Sequence, residues 1–264
     1  MDKNNKEHGI ISSFDGLGNF RDFGGYNTTD GKRVKRGHLF RSDDLSKLSR
    51  RDIARLEQTG MQLICDLRTE TEQQSKKSRM LNRGIEVANL PMQDKSQAFT
   101  RLEFMKYLIR HGSEINFEQQ MKDMYFHMGN GSQSTIKNIF SLLSRKEKLP
   151  VLIHCTGGKD RTGFIVAIIQ LFLNVPYDHV LKDYLYSNVR IGPRMKKAEN
   201  MIRFMSFYRV PAERIKPILE VRRDYLEDVL QPILARHGTI ENYLINECDI
   251  PEKHLETFKE LVLE

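Results

Sequence analysis

Several features that define whole classes of proteins are absent from this sequence. It has no tryptophan and only three cysteines, at positions 65, 155 and 248, an odd and sparse number that does not suit a framework of disulfide bonds. The eight histidines are scattered, and no Cys/His spacing of the kind that holds zinc occurs. We therefore expect no metal, no other cofactor and a reducing compartment.

Long apolar segments are missing as well. The N-terminal stretch MDKNNKEHGI lacks the apolar core of a signal peptide, and the longest apolar run, FIVAIIQLFLNV, is too short to span a bilayer. We expect a soluble protein that is cytoplasmic or exported without a visible signal peptide. The excess of 42 basic over 35 acidic residues favours anionic partners, such as a phosphorylated protein or an anionic membrane surface. We expect no nucleic-acid partner.

The pattern of apolar residues predicts a single α/β domain over residues 1–264. Three short apolar runs read as buried strands of a central, mostly parallel sheet: QLICDL (62–67), IEVANLPM (85–92) and PVLIHC (150–155). Ser49 and Asp52 have the spacing of a capping box and predict the start of a helix that ends at Gly60. Residues 96–148 are predicted as a helical insert, and residues 177–264 as a helical C-terminal part.

The sequence CTGGKDR, residues 155–161, stands between the last predicted strand and an apolar helix. A loop in this position lies at the carboxyl edge of a parallel sheet, where the next helix offers free N–H groups and its positive dipole end. The paired glycines allow the chain to curl, so that its N–H groups form an anion-binding nest. The planar fork of Arg161 is placed to close on two phosphate oxygens. The predicted phosphate-binding residues are Thr156, Gly157, Gly158, Lys159, Asp160 and Arg161.

Cys155 is the predicted nucleophile. Helix N-termini and adjacent cations favour the thiolate, which is the form of cysteine that attacks. Thr162 is expected to donate its hydroxyl to the sulfur, and His154 to orient the loop through its ring. A buried structural cysteine beside an ordinary turn does not explain the arginine six residues later. The loop also fails the G-x-x-x-x-G-K-[ST] spacing of nucleotide-binding proteins.

These residues resemble a known family. HCTGGKDRTG is similar to the H-C-x5-R-[ST]-G signature of cysteine-dependent tyrosine and dual-specificity phosphatases. With NFRDFGG, FRSDDLSKL, DLRTETE and DYLYSN in the same order, it resembles the bacterial tyrosine-protein phosphatases that carry a helical lid. Some members of that family are secreted effectors, and some act on phosphoinositides. The resemblance implies a phosphatase domain that forms a phosphocysteine intermediate without a metal, with residues 96–148 as the lid.

An acid is also needed, because the oxygen that leaves a phosphate ester requires a proton. The candidates near strand ends are Asp66, Asp94 and Asp160. In the family the acid follows a strand that ends in Leu-Pro, and ANLPMQDK therefore points to Asp94. Asp160, inside the loop, is the rival. Asp66 is expected to hold the loop in place through hydrogen bonds.

The substrate class stays open. Lys159 resembles the extra lysines of lipid phosphatases, which contact additional phosphates of an inositol ring, whereas Asp160 departs from those enzymes. A phosphotyrosine phosphatase with some activity on phosphoserine, phosphothreonine or phosphoinositides is the main interpretation, and a phosphoinositide-preferring enzyme is the alternative. A rhodanese-like sulfurtransferase does not explain Arg-Thr-Gly after the loop, and an inactive phospho-binding module needs no intact Cys155 and Arg161. Cys65 is either an inert core thiol or a reversible disulfide partner of Cys155.

Overall fold

The computed structural model describes residues 14–81, 83–92, 106, 115–208 and 210–264. In these residues a five-stranded sheet has the strand order β1-β2-β5-β3-β4. The strands are β1 (Arg21–Asp22), β2 (Leu39–Ser42), β3 (Leu63–Asp66), β4 (Glu86–Asn89) and β5 (Val151–His154). β1 is antiparallel to β2, and all other pairs are parallel. The predicted α/β class with a mostly parallel sheet is therefore confirmed.

The register of the three central strands determines where the loops meet. The last residue of β5, His154, lies opposite both Ser42, the last residue of β2, and Asp66, the last residue of β3. The segments that follow the three strands consequently leave the sheet at one level and along one edge. CTGGKDR is the middle one of these segments, as expected for a ligand loop at the carboxyl end of parallel strands.

Ten α-helices occur among the described residues. They are α1 (Arg50–Gln58), α2 (Glu70–Ser75), α3 (Phe117–Asn130), α4 (Gln133–Leu143), α5 (Arg161–Phe172), α6 (Tyr177–Met205), α7 (Ala212–Leu219), α8 (Arg223–His237), α9 (Ile240–Asn246) and α10 (Glu252–Val262). Short 3-10 helices cover Leu45–Lys47 and Lys146–Lys148. The predicted helical C-terminal part is thus present.

Local signals in the sequence predicted several of these elements well. The capping box at the start of α1 is present, since Ser49 accepts from the N–H of Asp52 while the Asp52 carboxylate accepts from the N–H of Ser49. Gly60 adopts φ +71° just after α1 and stops it, as predicted. The prediction of a buried strand at 85–92 is wrong in one respect. β4 is an edge strand with no buried residue, because only β3 pairs with it.

The main core lies between the sheet and the helices. α5 contributes most of its length to this core, since all its residues except Leu171 are buried. α3 and α4 also belong to it, through residues such as Tyr125, Met128 and Phe140. The second half of the predicted insert at 96–148 is therefore part of the core, and most of residues 96–114 lie outside the described chain. No described helix has the length and apolar character that a membrane crossing requires.

Candidate active site

The loop that follows β5 curls around the sulfur of Cys155. The side chain is 3% exposed, and the N–H of Gly158 donates to Sγ over 3.2 Å. Gly158 has φ +63°, and a Cβ there would lie 2.3 Å from the carbonyl oxygen of Ser42. Only glycine satisfies both constraints, so the glycine at 158 is required for the curl. α5 then begins at Arg161, which places its free N–H groups and dipole at the loop.

Arg161 is held by a carboxylate from another part of the chain. Its Nη1 and Nη2 donate to the two oxygens of Glu72 over 2.6 and 2.7 Å, and Nη1 also lies 3.4 Å from the carbonyl oxygen of Leu67. The hydroxyl of Thr156 donates to the same carboxylate over 2.5 Å. Glu72 therefore joins the two ends of the loop.

The position of Glu72 is itself fixed by local structure. Thr69 caps α2, and Glu72 closes the capping box by accepting from the N–H of Thr69 over 2.9 Å. Burial would raise the pKa of Glu72, but hydrogen bonds and the charge of Arg161, with the hydrogen bond from Thr156, lower it from 4.5 to about 2. The carboxylate is consequently ionised at any physiological pH.

A buried network supports the loop from below. Asn19 donates to the Gly158 carbonyl over 2.7 Å, and Arg41 donates to the same oxygen over 2.9 Å. Arg41 and Arg21 share the carboxylate of Asp183, over 2.6 and 2.7 Å. Arg21 in turn donates to the side-chain oxygen of Asn19 over 2.6 Å. The backbone of the loop is thereby tied to β1, β2 and α6.

The charges of this network are shifted by burial and by one another. Burial would raise the pKa of Asp183, yet the guanidinium groups of Arg21 and Arg41 outweigh it and lower the pKa to about 2. Burial, followed by repulsion from Arg21, lowers the pKa of Arg41 to about 10, with Asp183 opposing the change. Two guanidinium groups thus share the single carboxylate of Asp183.

Lys159 and Asp160 form a second cluster on the loop. Lys159 is almost fully buried, and its Nζ lies 2.6 Å from Oδ2 of Asp160. The hydroxyl of Tyr125 donates to Oδ1 of Asp160 over 3.1 Å and lies 2.6 Å from the hydroxyl of Tyr184. Burial, and next the charge of Asp160, raises the pKa of Tyr125 well above its ordinary value. Tyr125 is therefore a neutral donor to Asp160.

The predicted supporting residues have different surroundings. His154 is fully buried, and its Nδ1 lies 3.3 Å from the carbonyl oxygen of Cys155. Burial lowers its pKa, with Asp66 opposing the change, so the ring is neutral at physiological pH. Asp66 binds Arg68 through two oxygens and so stabilises the turn after β3 rather than the cysteine loop directly. The hydroxyl of Thr162 is buried without a hydrogen-bond partner among the described residues, so it does not donate to the sulfur in this structure.

Two residues predicted from the sequence remain, the candidate acid Asp94 and the second cysteine, Cys65. Asp94 lies outside the described residues. Cys65 is opposite Ile153 in the sheet and is a free, fully buried thiol, and Cys155 is also free. Burial, with smaller contributions from nearby carboxylates, raises the pKa of Cys65 to about 12. These surroundings favour the inert core thiol over a redox partner.

The sequence reasoning assigned no role to five residues that shape the site, namely Asn19, Arg21, Arg41, Glu72 and Asp183. Each lies within a motif quoted for the family resemblance, so the motifs were a usable signal. Among the described residues, no group of three or more His, Cys, Asp or Glu side chains could hold a metal ion.

Comparison with known proteins agrees with this geometry. A model described as the tyrosine phosphatase family matches residues 12–264. A Cupriavidus necator protein named as a tyrosine-protein phosphatase is 29% identical over 238 residues, which cover 90% of this chain and 84% of the relative. The triple specificity protein phosphatase PtpB of Mycobacterium tuberculosis is 29% identical over 261 residues, and the alignment covers 89% of this chain and 92% of PtpB. A tyrosine-protein phosphatase of Nostoc commune is 26% identical over 56% of this chain and 47% of its own. Because the family model matches almost the whole chain, this chain belongs to the tyrosine phosphatase family.

Proposed function

We propose that the enzyme hydrolyses phosphotyrosine in proteins or peptides through a phosphocysteine intermediate at Cys155. The observation that carries this proposal is the position of the Cys155 sulfur, which sits inside the loop and accepts the N–H of Gly158. Backbone donors and the start of α5 stabilise a thiolate there and the oxygens of a transferring phosphoryl group. One loop thus activates the nucleophile and binds the phosphoryl group.

In the first step the Cys155 thiolate attacks phosphorus and the bond to the ester oxygen breaks. Asp94 gives its proton to the departing oxygen, and the phosphoryl group stays on the sulfur. In the second step water attacks phosphorus, its proton passes to the Asp94 carboxylate, and the thiolate leaves as inorganic phosphate is released. The two steps balance without a metal or a redox partner.

Arg161 has donors left for the phosphoryl group. A guanidinium carries five N–H bonds, of which Glu72 takes two and the Leu67 carbonyl a third. In the part of the chain that the structure describes, the remaining Nε–H and one N–H of Nη2 have no partner. These two donors form an edge of the fork that matches two equatorial oxygens of a phosphoryl group.

The choice of Asp94 over Asp160 as the acid rests on what Asp160 already does. Its carboxylate accepts from Tyr125 and pairs with Lys159, and these contacts already occupy both of its oxygens. Such a group is better suited to positioning the loop than to giving up a proton. Asp94 follows β4, whose end lies beside that of β3 at the same edge of the sheet.

The dependence on leaving group distinguishes the two aspartates. Phosphotyrosine has a poor leaving group that needs a proton, whereas p-nitrophenol leaves readily without one. We expect Asp94→Asn to lower kcat for phosphotyrosine about 100-fold or more and to lower it much less for p-nitrophenyl phosphate. Asp160→Asn should lower both rates by the same factor. The opposite pattern would assign the acid to Asp160.

The nucleophile is tested by trapping the intermediate. Wild-type enzyme quenched during turnover of a labelled phosphotyrosine peptide should carry label on Cys155, and Cys155→Ser should abolish turnover. Cys65→Ser is the matched control and should keep both the label and the activity, because Cys65 is a buried thiol within strand β3. A Cys155→Ser enzyme with full activity would contradict the mechanism. Sulfur transfer from thiosulfate at a rate above phosphate hydrolysis would favour a sulfurtransferase instead.

The substrate range follows from Lys159. Its Nζ is buried against Asp160 and lies 3.5 Å from the carbonyl oxygen of Glu220, so it supports the loop more than it reaches outward. We therefore place phosphotyrosine first, with phosphoserine, phosphothreonine and phosphoinositides as secondary substrates in line with the triple specificity in the name of PtpB. Rates of the wild type and of Lys159→Ala should be compared on each substrate. A loss confined to phosphoinositides would show that Lys159 contacts a second phosphate and would reverse the order.

A further inference from the structure

The C-terminal end of α6 and the turn after it combine exposed aromatic rings with a strong positive charge. Phe204, Phe207 and Tyr208 are 70%, 78% and 65% exposed, which sets them among the most exposed large side chains of the described residues. Residues 190–216 hold eight basic and two acidic side chains, a net charge of +6, while the whole protein has +7. The stretch of chain that carries the three rings is therefore strongly basic, although Arg190 and Arg194 lie at its far end and contact Gly18 and Asp43 there.

Helical geometry places the charge and the rings on one face. Lys197, Asn200 and Phe204 follow one another at spacings of three and four residues and are all exposed, whereas Glu199, Ile202 and Ser206 face inward. Phe207 and Tyr208 continue the exposed face beyond the helix. We call this face the basic aromatic surface. It is made of Lys197, Phe204, Phe207 and Tyr208, with Lys196 and Arg203 at its border, where both pair with Glu199.

The backbone of the turn is unusual for the residues it carries. Phe207 and Tyr208 have φ of +51° and +59°, in the left-handed region that bulky L residues avoid. Strain of this kind is kept where the structure around it requires it and is concentrated at functional positions. Here its effect is to present two aromatic rings to solvent at the tip of a turn.

The surface is separate from the loop that holds Cys155 but connected to it by two helices. Ser187 of α6 contacts the arginines below the loop, and Phe204 lies 17 residues further along the helix, which is about 25 Å at 1.5 Å per residue. α7 packs against α6, and the carbonyl oxygen of Glu220, just after α7, lies 3.5 Å from Nζ of Lys159. Docking of the surface would therefore leave the loop, about 25 Å away along α6, uncovered.

We propose that the basic aromatic surface binds an anionic lipid membrane. Aromatic rings settle at the boundary between headgroups and acyl chains, and basic side chains beside them are attracted by anionic headgroups. A convex turn of aromatic rings suits a deformable lipid surface. A second copy of the chain fits less well, because a symmetric contact would bring two clusters of equal positive charge face to face.

The test is cosedimentation of the full chain with vesicles of phosphatidylcholine alone and of equal parts phosphatidylcholine and phosphatidylserine. We expect binding to the anionic vesicles that weakens about tenfold or more on neutral vesicles and also falls with added salt. The Phe204→Ser/Phe207→Ser/Tyr208→Ser variant should bind at least about tenfold more weakly. Lys196→Glu/Lys197→Glu should weaken binding without removing any ring.

Phe126→Ser is the matched control, since Phe126 is also an exposed ring, at 62%, but lies on α3 beside acidic residues. All variants should hydrolyse p-nitrophenyl phosphate in solution like the wild type. A failure of membrane binding would therefore leave the phosphatase mechanism unaffected. Equal binding to neutral and anionic vesicles, or undiminished binding by the triple variant, would overturn it. A dimer in sedimentation velocity that the triple variant loses would show instead that a second copy covers the surface.

Discussion

The guanidinium of Arg161 and the carboxylate of Glu72 are joined by two parallel hydrogen bonds of 2.6 and 2.7 Å. The partners are 89 residues apart in the chain, and the contact joins the start of α5 to the first turn of α2. A planar bidentate pair fixes the orientation of the guanidinium as well as its position. The fork that is proposed to hold the phosphoryl group is thus oriented before substrate arrives.

Replacement of Glu72 should affect stability in a pH-dependent way. The folded pKa of about 2 lies below the ordinary 4.5, so the carboxylate contributes stability that is fully present above pH 4.5 and is lost as the pH falls towards 2. We expect Glu72→Gln to lower the free energy of unfolding by about 2 kcal/mol at pH 7 and by progressively less below pH 4.5. Urea unfolding over this range measures the difference.

The control for that experiment is Glu70→Gln, an exposed acidic residue in the same turn of α2. It should change the unfolding free energy by no more than about 0.5 kcal/mol. A loss at Glu72 of the same size at pH 7 and at pH 3 would show that the ion pair is not its source.

Gly158 and Gly157 provide a matched pair for the geometry of the loop. A Cβ at 158 would collide with the Ser42 carbonyl at φ +63°, whereas a Cβ at 157 would first meet Cγ of Lys159 at an ordinary 3.5 Å. We expect Gly158→Ala to destabilise the protein by about 2 kcal/mol or more and to abolish most activity. Gly157→Ala should melt within about 2 °C of the wild type. Equal melting temperatures for the two variants would contradict the required curl.

Asp183 should be among the least replaceable residues of the protein. Asp183→Asn leaves the buried guanidinium groups of Arg21 and Arg41 without an anion between them. Loss of one partner from a buried ion pair costs about 3 kcal/mol or more, because the remaining charge is uncompensated. Thermal unfolding should show this loss, while Asp178→Asn, an exposed change near the start of the same helix, should cost under about 1 kcal/mol. Similar losses for the two variants would remove Asp183 from this role.

Tyr125 is predicted to position Asp160 rather than to take part in the chemistry. Tyr125→Phe removes a donor to the Asp160 carboxylate and leaves its charge less balanced beside the site of the incoming phosphate. We expect KM for p-nitrophenyl phosphate to rise about fivefold with kcat nearly unchanged, since phosphate is bound less well in ground and transition states alike. Tyr225→Phe is the control, because the buried Tyr225 hydroxyl has no partner among the described residues. A fall in kcat alone would assign Tyr125 to the chemical step.

The parts of the fold that depend on local signals were predictable. The capping box of α1 needs only residues 49 and 52, and the loop of Cys155 can be recognised from the seven residues 155–161. The resemblance to tyrosine phosphatases drawn from these stretches is confirmed by the family match over residues 12–264. The edge position of β4 was not predictable, because burial of a strand depends on which neighbours the sheet supplies.

The residues that support the loop could not be predicted either, because their contacts depend on the tertiary structure. Asn19 and Arg41 reach the loop across 139 and 117 residues of chain, and Arg21 reaches Asp183 across 162. No spacing rule links such distant positions. Single charged residues in a sequence also give no sign that they will be buried. The opposite error occurred at Thr162, where adjacency to the loop suggested a contact with sulfur that the structure does not contain.

The sharing of Asp183 between Arg21 and Arg41 has a consequence for the empty enzyme. One anion beneath the loop faces two cations, and the loop above them is lined by further donors. An oxyanion bound in the loop places further negative charge close to these cations and donors, and it binds only the folded chain. The melting temperature should therefore rise with the concentration of orthovanadate or inorganic phosphate, in proportion to the free energy of ligand binding at that concentration. Product would then act as a thermal protectant, and an enzyme in phosphate-poor surroundings would be the first to unfold.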